Sequence, residues 1–270
     1  MSAAPHGDGA FPLTQSGPLS STVRDAAAFL DIVGGYEPGD SARLASPDEP
    51  FATQVERPPG RLRIAVTVEP PLDCPVDAPC VAAAQDAARL LAELGHDVLE
   101  ATPPWRDDGL LERFGVLWRM GPALSGAPPE ELEPLNRVLA EAAHATTALE
   151  YAGTVLAMQR YARLVTAFWD DVDLVLTPTL AKLPVPVGWV LEPEDPWEQY
   201  RRAAEFTPFT AFANVTGQPA ASVPFAGAEG LPVGIQLIGR VGEEATLLRL
   251  AAQLEQVRPW SGRRPPASAR

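Results

Sequence analysis

The residues of this chain best suited to chemistry lie at the end of a predicted strand. The apolar run over residues 173–176 (DLVL) is typical of a short buried strand, and Thr177, Pro178 and Thr179 follow it directly. Ligands of α/β proteins commonly bind at the carboxyl ends of strands, where such turns lie. We therefore predict that Pro178 and Thr179 border a binding site.

Ser222 and Lys182 are further side chains that could take part in a hydrolytic reaction. Ser222 lies within an apolar strand (AASVPF) and has no histidine or lysine near it in a recognisable pattern. A serine in such a strand commonly hydrogen-bonds to backbone, so we interpret Ser222 as structural. Lys182 is the only lysine of the chain, and any mechanism that needs a lysine base would have to use it.

The sequence contains no motif that indicates a metal site, a cofactor site or an esterase oxyanion loop. Cys74 and Cys80 lie in a Pro-rich stretch without the second pair or nearby histidine that a zinc site needs. There is no glycine-rich phosphate loop, so no cofactor is expected. The stretch from His6 to Gly9 (HGDG) lacks the preceding strand and the G-x-S-x-G elbow that accompany an esterase oxyanion loop.

The composition indicates a globular, acidic protein. Of 270 residues, 46% are hydrophobic, and 21 Lys and Arg stand against 35 Asp and Glu, for a formal charge of -14. Such a charge repels nucleic acid and anionic lipid, and no apolar run approaches the length of a membrane span. We expect a cytoplasmic protein that binds neither nucleic acid nor membranes.

The hydrophobic periodicity predicts an α/β fold in which strands and helices alternate. Strands are predicted over residues 61–68, 96–101, 173–176, 220–225 and 233–239. Helices are predicted over residues 23–33, 81–94, 108–120, 129–143, 148–171, 197–206 and 243–257. Residues 37–60 are rich in Pro, Asp, Ser and Gly and predict an extended connector.

One long segment resembles the C-terminal signature of the amidase signature family. From Thr207 to Gly239 the chain reads TPFTAFANVTGQPAASVPFAGAEGLPVGIQLIG, and the family pattern is T-P-F-N-x-T-G-x-P-A-x-S-x-P followed by G-L-P-x-G-x-Q-L-x-G. Three further stretches agree with the family in order and spacing, and they are GPLSSTVRDAAAFLDIV (17–33), DLVLTPTL (173–180) and EEATLLRLAAQLE (243–255). The resemblance covers nearly the whole chain.

The resemblance implies a domain organisation. Residues 17–260 would form the C-terminal part of an amidase signature domain, after a flexible loop over residues 1–16 and before a tail over residues 261–270. The fold would be part of a mixed-sheet α/β/α architecture with the N-terminal half absent.

The resemblance also implies an activity, which is the hydrolysis of C–N bonds in linear amides. Family members use a serine nucleophile, a second serine with a cis peptide bond and a lysine base. Their Gly/Ser-rich loop and catalytic lysine precede the helix that corresponds here to residues 17–33, and Lys182 follows a different landmark. We therefore expect no catalytic residue in this chain, and no activity until an N-terminal half completes the site for a small-molecule amide.

In a completed enzyme, one wall of the substrate pocket would include Pro178, Thr179 and Trp118, an aromatic suited to packing against an acyl group. The alternative is a non-catalytic remnant or interaction module of the same fold. Loss of half a sheet exposes apolar surface and an unpaired strand edge, which would permit self-association.

Overall fold

A computed structural model describes residues 13–38, 40, 45, 47–228 and 230–263 of the chain. The HGDG stretch from His6 to Gly9 lies outside these residues, as do most of the predicted loop over 1–16 and most of the predicted tail over 261–270. Of the predicted loop, Leu13 is buried, and its carbonyl oxygen accepts a hydrogen bond from Asn214 Nδ2 at 2.6 Å.

A mixed sheet of five strands forms the centre of the fold, in the order β2-β1-β3-β5-β4. The strands are β1 (Arg63–Val66), β2 (Asp97–Glu100), β3 (Leu174–Pro178), β4 (Ala220–Ala228) and β5 (Leu231–Gly239). β1 pairs in parallel with β2 and β3, whereas β5 pairs antiparallel with β3 and β4. The predicted α/β class with a mixed sheet is confirmed.

Helices cover both faces of the sheet. The described helices are α1 (Val23–Val33), α2 (Phe51–Gln54), α3 (Ala78–Glu93), α4 (Leu110–Trp118), α5 (Met120–Leu124), α6 (Pro134–His144), α7 (Ala148–Thr166), α8 (Pro196–Phe206), α9 (Thr210–Thr216) and α10 (Glu244–Val257). Ile64 and Leu174 pack into one apolar cluster with α3 and α10, and Ala65 and Val175 pack into a second with α7 and α9. The result is the three-layer α/β/α arrangement.

Three short helices among the described residues were not predicted: α5, which directly follows α4, and α2 and α9, which contact distant residues. α2 lies inside the stretch interpreted as an extended connector, and the Asp31 carboxylate of α1 accepts the N–H groups of Phe51 and Ala52 at 2.6 and 2.9 Å. α9 consists of TAFANVT, a sequence of modest helix propensity, but Phe212 and Val215 are buried on it. In both cases contacts from distant residues stabilise a turn of helix that local pattern does not indicate.

The hairpin of β4 and β5 is longer than predicted. β4 continues to Ala228 and β5 begins at Leu231, and the register shifts between Pro224 and Ala226. Pro224 has no N–H to donate, which suits an edge strand with an irregularity. Within the described residues β4 pairs only with β5, so its outer edge is unpaired.

Candidate functional site

The carboxyl ends of the three parallel strands meet at one edge of the sheet and carry hydroxyl side chains. Thr67 follows β1 and donates its N–H to the Leu176 carbonyl of β3 at 3.1 Å. Its Oγ1 lies 2.7 Å from Oγ1 of Thr102, which follows β2. This pair joins the loops that leave two neighbouring strands.

A second hydroxyl pair lies at the end of β3. Thr179 Oγ1 is 2.8 Å from Ser222 Oγ on β4, and the Thr179 N–H donates to the Gly234 carbonyl at 3.2 Å. A Cβ on Gly234 would stand 3.0 Å from each of these two hydroxyl oxygens. The missing side chain of Gly234 on β5 therefore allows the hydroxyls of β3 and β4 to meet.

Lys182 lies beside this pair, in a segment fixed by Asp77. The Asp77 N–H donates to the Ala181 carbonyl at 2.7 Å, and the Leu183 N–H donates to Asp77 Oδ2 at 3.0 Å. These two bonds restrain the backbone on either side of Lys182. The Lys182 side chain is half-buried, and within the described part of the chain it forms no ion pair.

Lys182 and the hydroxyl pair line a cavity of about 100 Å³, which we call the Lys182 cavity. Its lining is Cys80, Thr179, Leu180, Lys182, Leu183, Pro184, Ser222, Pro232, Val233 and Gly234. Of the residues that the structure describes, Lys182 is the one charged side chain in that lining.

The predicted site residues Pro178 and Thr179 differ in their surroundings. Pro178 is buried in the sheet and pairs with Ile235 of β5, so it anchors the start of the turn that contains Thr179. Thr179 lines the Lys182 cavity. Below them, the buried Gln236 Nε2 donates to the Phe209 carbonyl at 3.0 Å and holds α9 against the sheet.

Trp118 ends α4 and is 38% exposed. Its ring stacks on Phe114, with centroids 5.6 Å apart and an interplanar angle of 21°. Among the described residues, the lining of the Lys182 cavity does not include Trp118. The structure therefore brings Thr179 together with Ser222 and Lys182, and Trp118 is not among the described residues that line their cavity.

A second cavity, of about 200 Å³, lies beside the loop that follows β1. Some of its charged side chains form ion pairs: Arg106 binds Asp73 at 2.6 Å, and Arg113 binds Asp107 at 2.5 Å. Asp108 and Glu205 also line the cavity and form no ion pair with the described residues. The Arg113 hydrogen bond is the main reason that the pKa of the Asp107 carboxyl is lowered. Carboxylates outnumber guanidinium groups in this lining, so the cavity disfavours an anionic ligand.

The two cysteines border these cavities as neutral thiols. Burial is the main reason that the pKa of Cys74 is raised, and burial together with the Asp77 carboxylate raises the pKa of Cys80 to about 11. A thiol with a raised pKa is a poor nucleophile at neutral pH. In the part of the chain that the structure covers, no group of three His, Cys, Asp or Glu side chains could hold a metal ion, and no helix is long and apolar enough to cross a membrane.

The layer order and a cavity at the carboxyl ends of parallel strands define an α/β protein with a candidate ligand site at its strand ends. The family model described as Amidase matches residues 1–248. The chain therefore belongs to the amidase family, as the sequence signature indicated.

Relatives with known names agree with this assignment. The 6-aminohexanoate-cyclic-dimer hydrolase of Paenarthrobacter ureafaciens is 33% identical over 269 aligned residues, which cover 92% of this chain and 55% of that protein. A solved structure of 6-aminohexanoate cyclic dimer hydrolase matches with a TM-score of 0.84 at 31% identity, over 91% of this chain and 55% of that one. A bacterial aryl acylamidase of the amidase signature family shares the fold, with a TM-score of 0.74 at 23% identity and coverage of 92% and 55%. The chain spans about half the length of these proteins.

Sequence reasoning missed most of the Lys182 cavity. Ser222 was interpreted as structural and Lys182 was set aside as a catalytic base, and neither was placed beside Thr179. The bond between Thr179 and Ser222 joins positions 43 residues apart, and that between Leu183 and Asp77 joins positions 106 apart. The only local signal was the glycine of the segment LPVGIQ, a position where backbone or side chains approach closely.

Proposed function

We propose that this chain is the C-terminal part of an amide hydrolase and forms one wall of its substrate site. The observation that carries the proposal is the agreement with 6-aminohexanoate cyclic dimer hydrolase, at a TM-score of 0.84 over 91% of the chain. The Lys182 cavity at the strand ends is the part of the chain that we assign to the substrate.

The nucleophile and the base of the reaction lie outside this sequence in our proposal. No Gly/Ser-rich loop of the family type occurs among the 270 residues. Ser222 is hydrogen-bonded to Thr179, and neither His96 nor His144, the two histidines among the described residues, bonds to it. Of these, His96 is buried, and its ring bonds the Leu62 N–H and the Gln253 side chain. A Ser–cisSer–Lys triad supplied by a further segment would complete the site.

The proposed substrates are small amides. The relative from Paenarthrobacter ureafaciens is named as a hydrolase of the cyclic dimer of 6-aminohexanoate. By that relationship we include cyclic and linear amides of amino-alkanoic acids. Trp118 is exposed and carries a flat apolar ring, and we keep it as a residue that packs against the acyl group once the site is complete.

The surface of the chain suits association with a further segment or with a second copy. The outer edge of β4 is unpaired within the described residues. Leu149, Leu156 and Leu164 lie seven and eight positions apart on α7 and are 84%, 54% and 64% exposed. Unpaired strand edges and apolar stripes are surfaces that proteins commonly cover.

The proposal is tested by comparing the native gene product from its source cell with the purified 270-residue chain. Release of amine is measured from linear amides and from the cyclic dimer of 6-aminohexanoate. We expect the native product to hydrolyse at least one amide and the isolated chain to hydrolyse none above the buffer rate.

Hydrolysis by the isolated chain that is lost in Ser222→Ala would show that the triad is not needed from outside. If neither preparation hydrolyses any of the amides, the chain is better described as a non-catalytic interaction module of the same fold.

A further inference from the structure

We propose that the Lys182 cavity binds a carboxylate group of the substrate. That the ligand is a substrate rests on the proposed amide hydrolase function. The proposal assigns to Lys182, Thr179 and Ser222 a role in recognition, separate from bond cleavage.

The charge of the lining favours an anion. The protein as a whole carries a formal charge of -14, yet the described side chains that line this cavity include one ammonium and no carboxylate. The Asp77 carboxylate lies nearby and keeps its negative charge, but it is not among the described side chains that line the cavity, and its Oδ2 faces the Leu183 N–H at 3.0 Å. A half-buried ammonium without an ion pair among the described residues gains stability when it meets an anion.

The hydroxyl pair supplies a second donor. In the 2.8 Å contact between Thr179 and Ser222, one hydroxyl donates its hydrogen to the other. The accepting hydroxyl keeps its own hydrogen, which is free to donate to a ligand. An ammonium and a hydroxyl that share one cavity match the two oxygens of a carboxylate.

The site is held in place by the fold. Two hydrogen bonds with Asp77 restrain the backbone around Lys182. Thr179 directly follows β3 and Ser222 lies in β4, and both of these strands pair with β5. Gly234 leaves the space in which the hydroxyls meet. A cavity of about 100 Å³ has room for a carboxylate group.

The cavity therefore selects among amide substrates. An amide of an amino-alkanoic acid that keeps a free carboxylate would bind with that carboxylate at Lys182. Its scissile amide would lie several methylenes away, toward the completing segment. A neutral amide of the same length would lose the charge-assisted hydrogen bond.

The test is a binding titration of the purified chain with 6-acetamidohexanoate, followed by NMR of the backbone amides. The matched neutral probe is 6-acetamidohexanamide. We expect saturable shifts at Thr179 and Gly234 with the carboxylate in the millimolar range, and binding of the neutral probe that is weaker by about tenfold or more.

Variants distinguish carboxylate binding at Lys182 from a general effect of charge. Lys182→Met should weaken carboxylate binding by about tenfold or more and remove the preference over the neutral probe. Ser222→Ala should weaken it by about threefold to tenfold. The control is Arg61→Met, which removes one positive charge beyond the opposite end of β1, where Arg61 pairs with Asp97 at 2.9 Å. It should bind as the parent does, and matching thermal unfolding curves would show that each variant is folded.

The proposal is overturned if the carboxylate gives no saturable shift at Thr179 and Gly234, or if Lys182→Met and Arg61→Met bind it equally well. Because binding is measured on the chain itself, a negative result leaves the proposed amide hydrolysis standing. Conversely, a native gene product without amidase activity leaves a measured carboxylate site in place and removes only its link to a substrate.

Discussion

At the scale of single residues, the Lys182 cavity depends on the absence of a side chain at Gly234. A Cβ there would stand 3.0 Å from the hydroxyl oxygens of Thr179 and Ser222, closer than ordinary packing allows. We expect Gly234→Ala to force the hydroxyls apart and to lower the free energy of unfolding by about 1–3 kcal/mol, measured by urea denaturation.

Gly227 in β4 is the matched control for this substitution. A Cβ on Gly227 would meet the Leu231 carbonyl oxygen at 3.5 Å, an ordinary contact. Gly227→Ala should leave stability unchanged or raise it by about 0.5–1 kcal/mol, because alanine restricts the unfolded chain. Equal losses in the two variants would contradict the role assigned to Gly234.

The thiols give a second prediction at this scale, through their pH dependence. Burial raises the pKa of Cys80 from 9.0 to about 11 in the folded state. Stability contributed by the neutral thiol is therefore complete below pH 9.0 and is lost as the pH rises toward about 11.

In the Cys74→Ala variant, Cys80 is the cysteine that remains. Below pH 9.0 we expect it to react with a thiol reagent about 100-fold or more slowly than a free cysteine does. The reverse variant, Cys80→Ala, leaves Cys74, which is more accessible and should react faster. If Cys80 reacts as fast as a free thiol, it is not a buried, neutral thiol.

At the scale of secondary structure, α7 forms a large part of the second apolar cluster and begins at a side-chain cap. Thr147 Oγ1 accepts the Glu150 N–H at 3.1 Å. Thr147→Ala should lower the free energy of unfolding by about 1 kcal/mol, because one N–H of the first turn loses its acceptor. Thr147→Ser keeps the acceptor and should cost much less in the same denaturant titration. Similar losses for both substitutions would show that the cap bond is not the cause.

Helices whose caps and apolar spacing lie in the local sequence can be predicted from it, and other helices cannot. α1 was predicted because Ser21 or Thr22 could cap it and Gly34 and Gly35 could end it, and in the structure Thr22 is the cap and Gly34 ends the helix. α7 was predicted because apolar residues such as Met158 and Val165 repeat at helical spacing. α2 and α9 were missed because their stability comes from Asp31 and from burial of Phe212, which no local pattern contains.

The candidate site, too, was predictable from the sequence only in part. Thr179 could be placed at a site because a strand end is visible in the sequence. Its contact with Ser222 requires β3, β5 and β4 to be neighbours in that order, and the sheet order follows from packing of the whole domain. Trp118 was grouped with Thr179 for its chemistry alone, and chemistry carries no information on position.

At the scale of the whole molecule, the exposed leucines of α7 suggest a covered surface. Leu156→Glu should reduce self-association of the chain, measured by sedimentation over a range of concentrations, and change the free energy of unfolding by less than about 0.5 kcal/mol. Met158, two positions along and fully buried, is the contrast: Met158→Ala should cost about 2–5 kcal/mol. A chain that stays monomeric at every concentration, with or without Leu156→Glu, would argue against association through this helix.

We propose that an amide hydrolase uses this chain as one wall of its substrate site and carries its serine nucleophile on a segment outside these 270 residues. The most direct measurement treats the native gene product with a fluorophosphonate that labels active-site serines, and then maps the adduct by peptide mass spectrometry. We predict an adduct on a serine outside the 270 residues, formed in parallel with loss of amide hydrolysis. An adduct on Ser222, or on any other serine of this chain, would contradict the account.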